Sequence, residues 1–412
     1  MNNKKFGRRI IAAVLLSLIL TGCSGKKNLL TYETGNTDTA SDISPVIDKD
    51  KMSVALLLPD DPANGACMSS AHSAAFIAAA NSMGITNTDI IINPDPEAAV
   101  AEAADANIVF GGAFDYMNVL ERTAKENKDK LYSCFGGYKF NSTNYSNYYT
   151  AFYEAQYLAG VAAGTNSKSG KIGIVAEYTT EYPECAAEIN SFALGALAAS
   201  SNSQIIVKSF KSRTDTSNAE AYTKALIDEG CDVISIQCDS SVPADYAAKN
   251  EVKFIGYGVD LSSDYKDLCL TSVVWNFEEY YKSALSSAMN GTWTDENYHG
   301  TLSDGAVKLG TLSQNAEAIT QTRLDNVSVF IMNDKFEMFS NTRIVFDPEN
   351  NVTTAEAALV DNKGNTMISA DGTSCFLYSG ETLTPVDAAS VTSDKLAYAK
   401  MNYLVENVTV ME

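Results

Sequence analysis

From residue 52 onward, short apolar runs alternate with amphipathic stretches. The runs are MSVALLLP (52–59), DIIIN (89–93), NIVFGG (107–112), LYSCFG (131–136), KIGIVAE (171–177), QIIVKSF (204–210), DVISIQC (232–238), KFIGYG (253–258) and LCLTSVVW (268–275). Each is too short for a helix and apolar on both faces, the mark of strands covered from both sides. Between most of them the apolar period lengthens to that of a helix, as in NAEAYTKALIDEG (218–230), which stops at a capping glycine. Strand and helix in alternation predict an α/β protein with parallel sheets. Nine or more strands approach the upper size of a single sheet, which favours two lobes. The polar, aromatic segment GYKFNSTNYSN after LYSCFG is a candidate crossover, with a helix predicted over YYTAFYEAQYLAGVAAG (148–164). Trp275 ends the apolar run LTSVV, and a helical pattern begins with NFEEYYKSALSSAMNG. Beyond about 300 the pattern weakens to a helix over 317–333, a strand at 342–346 and Gly/Asp-rich hairpin material.

The first 23 residues differ in kind. Four basic residues in MNNKKFGRR precede the apolar IIAAVLLSLIL and then Leu20-Thr-Gly-Cys23. This pattern is that of an export signal, too short for a comfortable membrane span. Its ending resembles a bacterial lipobox, which would place a lipid on Cys23. Residues 24–50 are polar and aperiodic and predict a flexible tether with a span of about 25–30 Å. A lipid followed by a tether holds a folded domain at the outer face of the cell membrane without inserting it.

The formal net charge is −21, and loss of Lys4, Lys5, Arg8 and Arg9 with the signal would take it to −25. That argues against nucleic acid as a partner, since phosphate binding needs clustered Lys and Arg. With Cys23 lipidated, seven cysteines remain, none in C-x-x-C spacing, and the chain has two histidines; a zinc site is not expected. The remaining cysteines are read as small buried apolar side chains. Cys231 and Cys238 flank one strand and stand too far apart to pair. No nucleophile elbow, H-E-x-x-H or dinucleotide fingerprint is present. GTNSKSGKI (164–172) has the composition of a phosphate loop, but its spacing is one residue too long and a strand follows where a helix is required. It is a turn. An enzyme is not expected, nor a cofactor.

What stands out is the set of polar and aromatic residues at strand C-terminal ends, where open parallel sheets bind ligands. They are Asp60 and Asp61, Asp115, Tyr178, Asp239, Asp260 and Trp275. Any single aspartate there could equally cap a helix or form a turn.

YYTAFYEAQYLAGVAAG followed by KIGIVAE, EINSFALGALA (188–198), CDVISIQCDSS, FIGYGVD and LTSVVWNFEEYY resembles, in order and spacing, the basic membrane protein family. The likeness covers roughly 52–310, with SDKLAYAKMNYLVENV (393–408) similar to the family's terminal segment. These are lipid-anchored substrate-binding proteins of ABC importers, many of them purine nucleoside-binding. The resemblance implies a type I periplasmic-binding fold: two Rossmann-like lobes joined by a three-segment hinge. On that basis lobe 1 takes 52–146 and about 274–300, lobe 2 takes 147–273 and part of 301–345, and 346–412 is an extension completing the lobes. It implies a monomer that hands a purine base or nucleoside to a permease and its ATPase. By position, Asp60 or Asp61, Asp115 and Asp260 match acidic ligand residues. Met68 stands in place of a stacking aromatic, Ser69 where Asn is frequent, and Tyr178 near the second aromatic. Trp275 occupies the position of a Lys in nucleoside-binding members. Trp275-Asn276, Tyr280-Tyr281 and His72 are similar to a branch with a Trp-Asn pair, where the tryptophan would offer a stacking face. The expected ligand residues are thus Asp60, Asp61, Met68, Ser69, His72, Asp115, Tyr178, Asp239, Asp260 and Trp275. An alternative is a lipid-anchored ligand sensor of the same fold, and a weaker one is a binder of sugars or other small molecules.

Overall fold

A computed structural model describes residues 44–64, 67–141, 143–213, 215–293, 298–391, 394 and 399–412, all within one compact unit. The signal, Cys23 and the tether up to residue 43 lie outside the described residues. The tether expectation of 24–50 needs correction at its end. Ser44 and Ile47 are buried, Ser44 Oγ donates to the carbonyls of Thr143 and Trp293, and Ile47 N donates to Ala288 O. Ile47 is apolar enough to gain by docking, so the folded domain begins by Ser44.

The first group of elements is β1 (Val54–Leu58), α1 (Cys67–Met83), β2 (Thr88–Ile92), α2 (Pro96–Glu102), β3 (Ile108–Gly111), α3 (Met117–Glu126), β4 (Leu131–Phe135) and β5 (Tyr145–Thr150). The second is α4 (Phe152–Asn166), β6 (Lys171–Ala176), α5 (Pro183–Ala199), β7 (Gln204–Ser209), α6 (Ala219–Asp228), β8 (Val233–Gln237), α7 (Val242–Lys249), β9 (Lys253–Gly258), α8 (Ser262–Tyr265) and β10 (Cys269–Trp275). Then come α9 (Glu278–Asn290), β11 (Tyr298–Gly300), β12 (Val307–Leu309) and α10 (Thr320–Met332). The extension holds β13 (Thr342–Phe346), β14 (Val352–Glu356), β15 (Leu359–Val360), β16 (Thr366–Ile368), β17 (Cys375–Ser379), β18 (Thr382–Val386) and β19 (Val408–Val410).

Two sheets result. Lobe 1 has the order β11-β5-β4-β3-β1-β2, all parallel. Lobe 2 has β12-β10-β9-β8-β6-β7-β19, parallel except for β12. The alternation of side chains explains why these runs are apolar throughout. In β1, Ala55 and Leu57 face the cluster with α2 and α3, while Val54, Leu56 and Leu58 face that with α1 and α9. In lobe 2, Ile172 and Ile174 face α4 and α5, whereas Val175 and Ile236 face the other layer. The cluster that contains both Leu56 of β1 and Ile174 of β6 runs through the hinge into both lobes.

Helices α4 and α5 cross so closely that glycines are obligatory at the contact. A Cβ on Gly160 would lie 2.0 Å from Phe192 O, and one on Gly195 would lie 2.0 Å from Tyr157 O.

Three segments join the lobes. The crossover after the first sheet does not lie in GYKFNSTNYSN, as the polarity of that segment suggested. Tyr145–Thr150 is β5, the fifth strand of lobe 1, and the chain crosses at Ala151. Tyr and Thr favour a strand over a helix, so Tyr148–Thr150 belong to β5 rather than to the helix predicted from 148. The second crossing is Trp275–Phe277 and the third runs from Gly300 to Ala306. They are stitched together: Ala151 N donates to Gly300 O (2.7 Å), Asn276 N to Ala306 O (2.9 Å), Asn276 Nδ2 to Gly305 O (2.8 Å) and Leu302 N to Glu154 Oε2 (2.6 Å).

The extension is tied down at several points. Asp394 accepts from Met338 N and Phe339 N, Asn190 of α5 bonds both Tyr403 O and Val405 N, and β19 joins the edge of β7. Cys134, Cys231, Cys238, Cys269 and Cys375 are buried as small side chains, and Cys185 is half-buried.

Candidate functional site

Each sheet has a point where its strand order reverses, at β1 between β2 and β3 in lobe 1 and at β6 between β7 and β8 in lobe 2. Loops leaving neighbouring strands there diverge and open a crevice at the strand C-terminal ends. The two crevices face each other. Met68 N, at the start of α1, donates to Asp239 Oδ1 across them (3.2 Å), and Arg213 after β7 pairs with Asp115 after β3 (2.7 Å).

The residues expected from sequence divide into groups. Met68, Ser69, Asp115 and Asp239 sit at the facing strand ends. Asp60 lies close enough to oppose the ionisation of both Tyr116 and Glu177. Asp61 accepts from Ala63 N and so shapes the turn after β1. Tyr178 packs against Tyr182, ring centroids 4.5 Å apart, at the mouth of lobe 2. Asp260 is drawn away from the others. Its carboxylate accepts from Ser262 N, Thr311 N and Thr311 Oγ1, which hold it below the usual carboxylate range. Asp260→Asn is therefore expected to lower Tm while changing ligand affinity by less than about threefold; an exposed hydrogen-bond set of this kind contributes ~1 kcal/mol per bond. Parallel thermal melts and calorimetry check it.

His72 is fully buried beneath the site. It stacks on Phe277 (3.8 Å between centroids), its Nδ1 bonds Tyr281 Oη at 2.8 Å, and burial pushes its pKa down to about 3, so it is neutral. Trp275, where β10 ends, is 8% exposed. It stacks on Phe152 at 4.4 Å, lies nearly parallel to Phe277 at 5.9 Å and stands edge-on to Tyr257 at 5.1 Å. Neighbouring rings thus cover the stacking surface anticipated for it. What it leaves without a protein partner is its indole N–H. Ser69 Oγ, His72 Nε2 and Gln156 Nε2 are likewise buried without a partner among the described residues. Buried polar atoms left unmatched are costly, which makes these groups candidates for hydrogen bonds to another molecule.

Sequence reasoning passed over several groups here. Glu177, the last letter of KIGIVAE, accepts from Asp239 N at 3.0 Å. Glu184 and Glu188 occupy one face of the first turns of α5, and Tyr257 ends β9; electrostatically Tyr257 feels Glu188, Glu177 and Asp239 together. The spacing of four between Glu184 and Glu188, just after a strand-end glutamate, was the available signal. Glu177, Glu188 and Tyr257 lie deep in the molecule yet each keeps some accessible surface, as residues lining a hollow do.

Burial raises these carboxyls. Glu177 is pushed up to about 8, and Glu154 at the hinge to about 7, against 4.5 when unfolded. Between 4.5 and those values the folded chain holds more protons than the unfolded one, so stability falls as pH rises through this window. Tm is expected to be higher at pH 5 than at pH 8, and Glu177→Gln should flatten the upper part of that slope while leaving the part due to Glu154. A melt series from pH 5 to 8.5 on both proteins reads this directly; a slope unchanged by the substitution would remove Glu177 from the account.

Two facing lobes, parallel sheets and a triple hinge define the class of type I periplasmic-binding-like solute-binding proteins. Solved structures share this architecture. An ABC transporter solute-binding protein from Conexibacter woesei superposes with TM-score 0.57 at 20% identity, covering 69% of this chain and 98% of that one. A transcriptional activator of the comK gene from Bacillus halodurans superposes with TM-score 0.60 at 21% identity, covering 69% and 99%. The chain belongs to the Bmp family, described as ABC transporter substrate-binding protein PnrA-like, whose model matches residues 85–338. Among relatives, a purine-binding protein of Brucella abortus is 32% identical over 222 residues, 51% of this chain and 63% of that protein. A putative ABC transporter glucose-binding protein of Haloferax volcanii is 27% identical over 257 residues, 62% of this chain and 65% of that protein. The chain thus spans just under two thirds of the length of each.

Proposed function

We propose that this protein is the lipid-anchored, extracytoplasmic substrate-binding protein of an ABC importer and that it closes on a purine base or nucleoside between its lobes. The observation that carries the reading is the meeting of aromatic rings, carboxylates and unmatched buried donors at two facing switch points. Flat heterocycles need this combination: rings for their faces and polar groups for their edges. The purine-binding relative and the family's description support it. Lobe closure is a hinge motion, and the bonds Met68–Asp239 and Arg213–Asp115 would form as the lobes meet. The closed form would then be presented to a permease and ATPase.

Mass spectrometry of small molecules released from freshly purified protein tests the ligand. A purine base or nucleoside is the expected result. A sugar is the second reading, favoured by the glucose-binding relative, and its release together with failure of every purine to bind would replace the first.

The anchor rests on Leu20–Cys23. Among the described residues no helix is long and apolar enough to cross a membrane. Cys23→Ser is expected to move most of the protein from the membrane fraction to the medium or soluble fraction and to abolish labelling by a radioactive fatty acid. Unchanged membrane association without label would remove the lipid from the proposal.

A further inference from the structure

We infer that the hollow at the lobe 2 switch point selects heterocycles that present amino N–H donors and carry no negative charge. This rests on the purine reading and narrows it to the amino-substituted members over the oxo-substituted ones.

The first observation is an excess of acceptors. Glu177 ends β6, Glu184 and Glu188 share one face of α5, and Glu188 lies near enough to Glu177 and Glu184 for each to oppose its ionisation. None of the three is in an ion pair among the described residues. Of the nearby cations, Arg213 is bonded to Asp115 and Lys211 faces Glu181. A phosphate or any other anion entering here would find no unpaired cation among the described residues to balance it, and would meet carboxyl groups that become like-charged as they lose their protons.

The second observation is independent of the first and concerns donors. Trp275 Nε1 and Gln156 Nε2 are N–H groups without a partner among the described residues, and their residues are 8% and 0% exposed. Trp275 ends a lobe 2 strand, and Gln156 lies on α4 against the end of another. Trp275 closes β10 edge-on to Tyr257, and the Gln156 amide oxygen is engaged by Gln237 Nε2 at the end of β8 (3.3 Å). A ligand that satisfies both sets must accept hydrogen bonds on one part of its edge and donate on another. The ring nitrogens and exocyclic amine of an aminopurine do this together. An oxo group in place of the amine turns an acceptor toward carboxylates, which leaves two acceptors facing each other.

Ionisation gives a second handle. Burial, with Asp239 and Asp60 adding to it and Arg213 opposing it, lets Glu177 keep a proton to about 8. A protonated carboxyl can donate to an oxo group, whereas the carboxylate can only accept. Discrimination should therefore widen with pH.

Calorimetric titration of the intact domain with adenine, hypoxanthine, adenosine, inosine, AMP and agmatine, at pH 6 and pH 8, tests the inference. Adenine or adenosine is expected to bind about 10–100-fold more tightly than its oxo counterpart at pH 8, the range for one buried charged hydrogen bond gained or lost. The ratio should be smaller at pH 6, and AMP should not bind. Glu188→Gln and Glu177→Gln should each cut the amino-over-oxo ratio about tenfold while leaving Tm unchanged or higher, because each removes a buried carboxyl; Glu184→Gln gives a third variant should one of them fold poorly. Equal or tighter binding of hypoxanthine or inosine, with purines bound, would overturn this inference and leave the purine reading standing. Binding of agmatine with no purine bound would overturn both.

Discussion

Trp275→Ala is expected to weaken purine binding by about tenfold, near the cost of one hydrogen bond lost in a dry site, and to lower stability by about 3–5 kcal/mol. The two effects have different origins. The stability loss follows from the packing of the ring: Phe152 lies 4.4 Å from it, Tyr257 meets its edge, and Phe277 runs nearly parallel, all where β10 hands the chain back across the hinge. The affinity loss follows from the indole N–H, which no group among the described residues satisfies. Trp275→Phe separates them. It retains most of the packing and deletes the donor, so Tm should move by only a few degrees while affinity still falls about tenfold, near the value of one hydrogen bond lost in a dry site. Calorimetry and thermal melts on both variants provide the check. Full affinity in Trp275→Phe would assign the residue to hinge packing alone.

Gly195→Ala is expected to destabilise the protein although the same change in an ordinary helix interior stabilises by about 1 kcal/mol. The reason is the crossing of α4 and α5, where a new methyl would lie 2.0 Å from the carbonyl oxygen of Tyr157, a backbone atom that cannot rotate away. The helices must part, and the buried layer formed by Leu158, Phe192 and Leu194 loses contact with them. Overpacking of this kind costs typically 1–3 kcal/mol for one carbon, and a larger side chain costs more. Gly195→Val should therefore fail to yield folded protein. Urea unfolding of Gly195→Ala gives the sign, and an increase in stability would show that the crossing is looser than described.

The strands were legible in the sequence because burial on both faces makes them continuous apolar runs, a pattern that needs no tertiary knowledge to see. Lobe membership at the boundary was not. Tyr148, Tyr149 and Thr150 adjoin a helix of 15 residues and share its apolar character, and only pairing with β4 and β11 makes them a strand. The extension was read as hairpin material without its ladders, since β14 and β18 expose most of their side chains and carry little hydrophobic signal. At the site, an aspartate after a strand has several uses that sequence does not separate. Asp61 shapes a turn, Asp260 anchors Thr311, Asp115 meets Arg213 and Asp239 meets Met68 N, yet all four look alike as letters. Glu177, Glu188 and Gln156 escaped notice because nothing local distinguishes them; the switch-point geometry gathers them, and strand order is a tertiary property. Trp275 was placed at the right strand end, but of its ring neighbours only Phe277 is local; Phe152 comes from α4 and Tyr257 from β9.

The two tryptophans, Trp275 and Trp293, make the most direct measurement an optical one. Adenine, adenosine and guanosine are titrated into the wild type, Trp293→Phe and Trp275→Phe while tryptophan emission is followed to saturation. The account predicts a saturable change with one of these ligands that persists without Trp293 and disappears without Trp275. No change with any of them, or a change that survives the loss of Trp275, would contradict a purine held between the lobes beside this ring.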